Sequence, residues 1–288
     1  MPTKLWDIDT EIRYFREALR SFLSEEQLFY QIKGSCYAYV PKSISSEGNT
    51  LQSRNSSIGH FTEKWCKDLL SPIARKLGLY AVNDVKCDDL ALPLRSGADL
   101  AFCKTNSKQQ SPKNIKLIFE IKMSIVNNYM YSRQDGLRYL GDYKTHRGTP
   151  SLLRSDSMLK AIGKAVNIRA SGDLGNSIPI VILGNSPITK FYEHKVDHLL
   201  KAGIVQGFWS LNPNPCDSEY LAQSPKCGFS TLSDIQELQF KCNELVNKDM
   251  RYFSSMIPKE KLGAIIELAS RESSRRLKAE KFISLISE

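Results

Sequence analysis

Two short segments hold residue types from which chemistry can be built. They are Ser96-Gly97-Ala98-Asp99 and, 21 positions after the aspartate, Glu120-Ile121-Lys122. Residues 115–123 alternate: Ile115, Leu117, Phe119, Ile121 and Met123 fall on one side, Lys116, Ile118, Glu120 and Lys122 on the other, the period of a strand. Glu120 and Lys122 therefore project from the same face. The large apolar residues opposite mark the core side. Residues 98–103 predict a second strand, with Asp99 facing away from Ala98, Leu100 and Phe102, and the polar stretch 104–114 makes the two a hairpin. If they pair, Asp99 lies beside Glu120, and two carboxylates share a small surface with an ammonium.

Adjacent carboxylates repel unless a cation sits between them. A hard divalent ion such as Mg²⁺ prefers carboxylate oxygens and keeps several waters. Such an ion polarises a phosphoryl oxygen and lowers the pKa of an attacking water, and a nearby lysine stabilises the charge that builds in the transition state. The trio suits phosphodiester hydrolysis, with Mg²⁺ expected and Mn²⁺ as its substitute. Alone, Glu-x-Lys is an ordinary surface pair. The Gly-Ala-Asp strand before it and the basic helix and buried strand after it favour the catalytic reading.

The elements that must position these residues follow from periodicity. Residues 9–33 read as a helix carrying Ile12, Phe15, Leu19 and Phe22. Residues 39–55, rich in Ser, Asn and Gly, read as a connector. A helix from about Ser57 carries Ile58, Phe61, Trp65 and Leu69; Pro72 is expected to interrupt it and restart a turn that Gly78 ends. Residues 79–87 predict a strand. Residues 124–150 look irregular. Residues 151–170 predict a helix with Leu159, Ile162 and Val166 on its apolar face and Lys160 and Lys164 roughly opposite. The continuous apolar run 178–184 is a strand buried on both faces. A helix over 190–202 and a strand over 204–211 follow. The C-terminal part reads as helical, with a capping box of Ser233 and Gln236 and a last helix opened by Pro258. The order predicts an α/β fold with a mixed sheet flanked by helices, and extra helices at both termini.

SGADLAF and IFEIKMS resemble the two halves of the PD-(D/E)xK nuclease motif, and the order helix, three-strand meander, helix, strand is similar to that family's core over roughly 57–211. Size, added terminal helices and the lack of a fused ATPase or methylase motif make the chain most similar to type II restriction endonucleases. The resemblance implies a restriction-endonuclease-like core. It places the metal-binding carboxylates at Asp99 and Glu120, a further metal ligand at the Ile121 backbone carbonyl and the catalytic lysine at Lys122. The residue before Asp99 is Ala98, where the family commonly has Pro. Many members carry another acidic residue on the helix before the meander; Glu63 holds that place, at an edge where it can turn to the site or to solvent. The chain then divides into an N-terminal helical region and connector (1–56), a nuclease core (57–215) with a DNA-contacting insertion (124–150), and a C-terminal helical region (216–288), within one domain.

The chain has 288 residues, 40 Lys+Arg against 31 Asp+Glu, and a formal net charge of +9. Composition is globular, which excludes a fibrous or wholly disordered chain. No apolar stretch is long enough to span a bilayer, and residues 1–9 lack an apolar signal region. Seven scattered cysteines without a CxxC pair read as reduced thiols, and a cytoplasmic, prokaryotic setting is expected. Residues 124–170 hold eight Lys/Arg against three Asp, interleaved with tyrosines. Asn127, Asn128, Arg133, Arg138, Lys144, Arg147, Arg154, Lys160 and Lys164 are the candidate DNA contacts, since Arg and Lys suit phosphate and guanine and Asn suits adenine; a solvated basic surface is the plain alternative. His194 and His198 are spaced i, i+4 but lack a third ligand, and neither His60 nor His146 has a visible partner as a base.

The expectation is a Mg²⁺-dependent, sequence-specific double-stranded DNA endonuclease of the restriction type, leaving 5′-phosphate ends. A homodimer would match a palindromic site, and a companion DNA methyltransferase is expected in the same system. A structure-specific or repair nuclease on the same core, and a non-catalytic DNA-binding protein, are the alternatives.

Overall fold

A computed structural model describes residues 4–21, 23–45, 51–248 and 257–287. Residues 46–50 of the expected connector and 249–256 of the expected C-terminal helical region lie outside these. In chain order the elements are α1 (Ile8–Arg20), α2 (Glu25–Leu28), β1 (Tyr30–Ile32), β2 (Ser35–Tyr37), α3 (Gln52–Lys76), β3 (Tyr80–Val85), β4 (Ala98–Cys103), β5 (Ile115–Ile121), β6 (Asn128–Ser132), β7 (Gly136–Gly141), α4 (Ser155–Ala170), α5 (Asp173–Asn176), β8 (Ile180–Gly184), α6 (Glu193–Lys201), β9 (Gly207–Ser210), β10 (Phe229–Thr231), α7 (Ile235–Asn247), α8 (Lys259–Ser270) and α9 (Arg275–Ser287). The fold is α/β, with a central mixed sheet flanked by helices.

Among the described residues the central sheet has the order β10-β9-β8-β5-β4-β3. β3, β4 and β5 form an antiparallel meander, and β5, β8, β9 and β10 run parallel. Both faces are covered. On one, Leu100, Phe102, Leu117 and Phe119 pack with Trp65, Leu69, Leu70 and Ile73 of α3. On the other, Ala101, Ile118, Ile180 and Ile182 pack with Met158, Ala161, Ala165 and Ile168 of α4. The Glu120 face of β5 is therefore also a core face, not the open one the alternation suggested. All five residues of β8 are buried, as its apolar run requires.

A second sheet, β1-β2-β6-β7, is antiparallel throughout. β1 lies in the segment predicted to be helix, β6 and β7 in the one predicted to be irregular, and β2 in the stretch between the expected helix and connector, for which no element was predicted. The helix expected over 9–33 stops at Arg20; Ser24 and Gln27 cap a separate short turn, and the chain then enters β1. Lys33 and Gly34, at φ +50° and +79°, make the two-residue loop between β1 and β2, the geometry whose twist suits a hairpin. Residues 124–150 contain the β6–β7 hairpin, whose alternation is masked by polar residues. Stacked Phe15, Phe29 and Tyr131 join this sheet to α1.

Other expectations are corrected. α3 begins at Gln52, inside the expected connector, and passes through Pro72 without a break. Pro72 removes one backbone donor, but Leu69, Leu70, Ile73 and Ala74 are buried around it, so packing holds the flanking turns; the Ser71 hydroxyl also donates to the Lys67 carbonyl at 2.6 Å. α4 buries Met158, Ala161, Ala165 and Ile168, while Leu159 and Val166 are 60% and 42% exposed; alanines let the helix lie close to the sheet. The last expected strand is only Gly207–Ser210, and the region expected to be helical contributes β10 beside it. Asp234, not Ser233, caps α7 by accepting from the Glu237 N–H at 2.8 Å. Pro258 precedes two helices rather than one. Among the described residues no helix is long and apolar enough to cross a membrane.

Candidate active site

The β4–β5 register pairs Leu100 with Phe119. One step along, Asp99 stands opposite Glu120. Gly97 makes the entry to β4 possible, because a Cβ there would lie 2.6 Å from the Val85 carbonyl oxygen of β3. Asp99 Oδ2 accepts the Ile121 backbone N–H at 2.7 Å. Since N–H and C=O of one strand residue point to the same side, the Ile121 carbonyl also faces Asp99. Lys122 Nζ lies 2.6 Å from Glu120 Oε1, 3.5 Å from Asp99 Oδ2 and 3.1 Å from the Ile121 carbonyl oxygen. The two carboxylates and the lysine read from the sequence thus meet at one end of the sheet.

A fourth member comes from α4. Lys164 Nζ lies 2.6 Å from Glu120 Oε2 and 3.1 Å from Asp99 Oδ1. The sequence reading set it with Lys160 on an outer basic face; instead its side chain is only 18% exposed, against 77% for Lys160. Its neighbours Ala161 and Ala165 pack on the sheet, and that pair of small residues flanking a lysine was the available signal. Burial, then the charge of Asp99, push the Glu120 carboxyl above its usual range, against the pull of Lys122 and Lys164. Burial alone would depress Lys164; Glu120 and Asp99 outweigh it, and its pKa is raised.

The chain beyond Lys122 is held firmly. The Lys122 N–H donates to the Leu183 carbonyl of β8 at 2.7 Å. The Ser151 hydroxyl donates to the Lys122 carbonyl at 2.6 Å and accepts the Asn185 N–H at 3.0 Å. Ser151 has φ +53°, a strained conformation for a residue with a side chain. Gly184 admits this crossing, because a Cβ there would lie 2.3 Å from Leu152 Cγ. Sequence reasoning passed over Ser151 and Asn185; the asparagine directly after the buried strand was the trace of Asn185, and nothing local marked Ser151.

Glu63 on α3 is half-buried, and burial, then repulsion from Asp99, push its carboxyl up. It therefore borders the cluster. Among the described residues no group of three or more His, Cys, Asp or Glu side chains is placed to hold a metal ion. The donors that remain are hard oxygens: two facing carboxylates and the Ile121 carbonyl. Glu120 Oε2 is buried with no hydrogen-bond donor aligned on it, although the Lys164 ammonium is in ion-pair contact. That set fits Mg²⁺, which is bound through one or two carboxylates and completes its shell with water and substrate phosphate.

Beside Lys122 opens a cleft of about 800 Å³, lined by Tyr30, Tyr39, Ser124, Arg147, Arg154 and Ser157 among others. Of the expected DNA contacts, Arg147 and Arg154 line it, both exposed, and Lys160 is exposed near Asp156. Lys144 donates to Ser218 Oγ and the Glu219 carbonyl. Arg133 pairs with Glu25 at 2.8 Å, and Arg138 lies along Met130. Asn127 and Asn128 are corrected: both are buried. Asn127 donates to Glu11, and Asn128 Oδ1 accepts the Tyr39 and Tyr129 N–H groups, so neither faces a base. His146 is a packing residue. It stacks on Tyr39 at 4.1 Å, with Nε2 3.0 Å from the Val126 carbonyl and Nδ1 accepting the Gly148 N–H.

No family model matches the chain, and no curated protein or solved structure matches it either.

Proposed function

We propose that the protein is a divalent-cation-dependent DNA endonuclease on a restriction-endonuclease-like core. The observation that carries the reading is the convergence of Asp99, Glu120 and Lys122 at one end of the sheet, next to a cleft with an arginine-bearing wall. The antiparallel meander followed by a helical crossover to parallel β8 is the order the PD-(D/E)xK resemblance implies.

In this reading Asp99, Glu120 and the Ile121 carbonyl hold Mg²⁺, with Glu63 at the border. The bound ion supplies Lewis acidity toward the phosphoryl oxygen and acidifies a water. Lys122 places a positive charge within reach of the Ile121 carbonyl and both carboxylates, where it orients the nucleophile and offsets charge developing on the phosphate. Arg147 and Arg154 clamp the backbone of the strand lying in the cleft. Ser151 and Asn185 fix the strand end so that Lys122 does not wander. The restriction-type form carries two partners, a second copy of the chain on a two-fold DNA site and a separate methyltransferase that protects the host.

Incubation with phage DNA and Mg²⁺ tests the form of the activity. Discrete fragments with 5′-phosphate ends are expected. A smear would point instead to a nuclease that reads DNA shape, and binding without strand breaks under Mg²⁺ or Mn²⁺ would contradict the catalytic reading.

A further inference from the structure

We infer that Lys164 is the resident counter-ion of the carboxylate pair and competes with a divalent cation for Glu120 and Asp99, so that it sets how tightly the site takes metal. This rests on the reading that these carboxylates hold a cation.

The buried cluster already balances. Two carboxylates face two ammonium groups, and the Lys164 contacts are as close as those of Lys122. Adding a doubly charged ion would leave a surplus of positive charge in a poorly solvated place, which is costly. One ammonium must give way. Lys122 is also bonded to the Ile121 carbonyl on its own strand. Lys164 reaches in from α4 on a flexible four-carbon stem and holds only the two carboxylates, touching the Glu120 oxygen on which no donor is aligned. It stands where a cation would draw its charge, and it is the lysine free to leave. Lys122 pairs with Glu120 Oε1, and without metal the buried Oε2 has only the Lys164 ammonium against it, so Lys164 also supports the cation-free fold.

Mn²⁺ titration followed by electron paramagnetic resonance, on DNA-free protein, tests this. Lys164→Met is expected to bind Mn²⁺ about tenfold more tightly than wild type, within the usual range for coupling between ligands, while Asp99→Asn loses binding. Lys164→Gln, which keeps a donor toward Glu120 but no charge, is expected to behave as Lys164→Met does and serves if the methionine variant does not fold. Without metal both variants should melt below wild type, and Mn²⁺ should raise their Tm more than it raises that of wild type. Equal or weaker Mn²⁺ affinity in both folded variants, with wild-type binding intact, would overturn the role of Lys164 and leave the nuclease reading standing. No Mn²⁺ binding by any of these proteins would overturn both.

Discussion

Asp99 Oδ2 accepts the backbone N–H of Ile121 at 2.7 Å, so the carboxylate that opens one strand of the meander is tied to the strand that carries Glu120 and Lys122. The bond makes Asp99 both a structural acceptor and a charge, and the two roles separate by substitution. Asp99→Asn keeps an oxygen for the Ile121 N–H and removes the charge. It is expected to fold with a Tm below wild type, because two ammonium groups then face one carboxylate, and to lose about 10²–10³-fold or more in DNA cleavage. Asp99→Leu loses the acceptor as well and should melt lower. Equal activity in Asp99→Asn and wild type would remove Asp99 from the site.

Glu11 is buried and accepts from Trp6 Nε1, the Val126 and Asn127 N–H groups, Asn127 Nδ2 and the Tyr129 hydroxyl, at 2.7–3.1 Å. Burial pushes its carboxyl up, and these bonds pull against that. It pins α1 to the chain entering β6. Glu11→Ala strands the donors and should cost more than about 3 kcal/mol in urea unfolding, since each buried polar group left alone costs about 1–3 kcal/mol. A loss below about 1 kcal/mol would show the network to be dispensable.

His146 is pushed down from its ordinary 6.5 to about 4, chiefly by burial. Below about pH 6.5 the unfolded chain takes up a proton that the folded chain refuses until about pH 4. Stability contributed by neutral His146 is therefore present above that window and falls as pH drops through it. Linkage gives a loss of about 2 kcal/mol between about pH 7.5 and 5. His146→Phe keeps a ring on Tyr39 but forfeits two hydrogen bonds. It should be less stable at about pH 7.5, with a flatter decline toward pH 5. An unchanged slope would mean that His146 does not titrate as described.

Arg147 and Arg154 are exposed along the cleft. Alanine at either should weaken DNA binding about equally for all sequences and lower the salt-dependence slope by about one. Asn128→Ala should instead lower stability without changing sequence preference, because its side chain holds the Tyr39 and Tyr129 N–H groups. A change in cleavage site with Asn128→Ala would contradict its placement.

The site was more legible in the sequence than the frame around it. Strict alternation over 115–121 and the short hairpin put Asp99 and Glu120 side by side without any tertiary information. Lys164 was misread because periodicity favoured the Leu159–Val166 face, whereas close packing on the sheet selected the alanine face and carried Lys164 inward. The second sheet was hidden because β1 and β2 have three residues each, too short for a period to show, and they form by pairing, β1 with β2 and β2 with β6. Asn127 and Asn128 look like base readers by type; burial beside Glu11 is a long-range fact that composition does not carry. Pro72 shows the same limit, since a local breaker yields to the core on either side of it.

The central claim is that Asp99, Glu120 and Lys122 cleave phosphodiester bonds with a divalent cation. The most direct measurement is single-turnover cleavage of duplex DNA with Mg²⁺ by wild type and by Lys122→Ala, both shown folded by circular dichroism and both shown to bind DNA when the cation is chelated. The account expects cation-dependent cleavage by wild type and a rate about 10²–10³-fold lower in the variant with DNA binding retained. Cleavage at the wild-type rate by Lys122→Ala, or none by wild type with Mg²⁺ or Mn²⁺ despite binding, would contradict it.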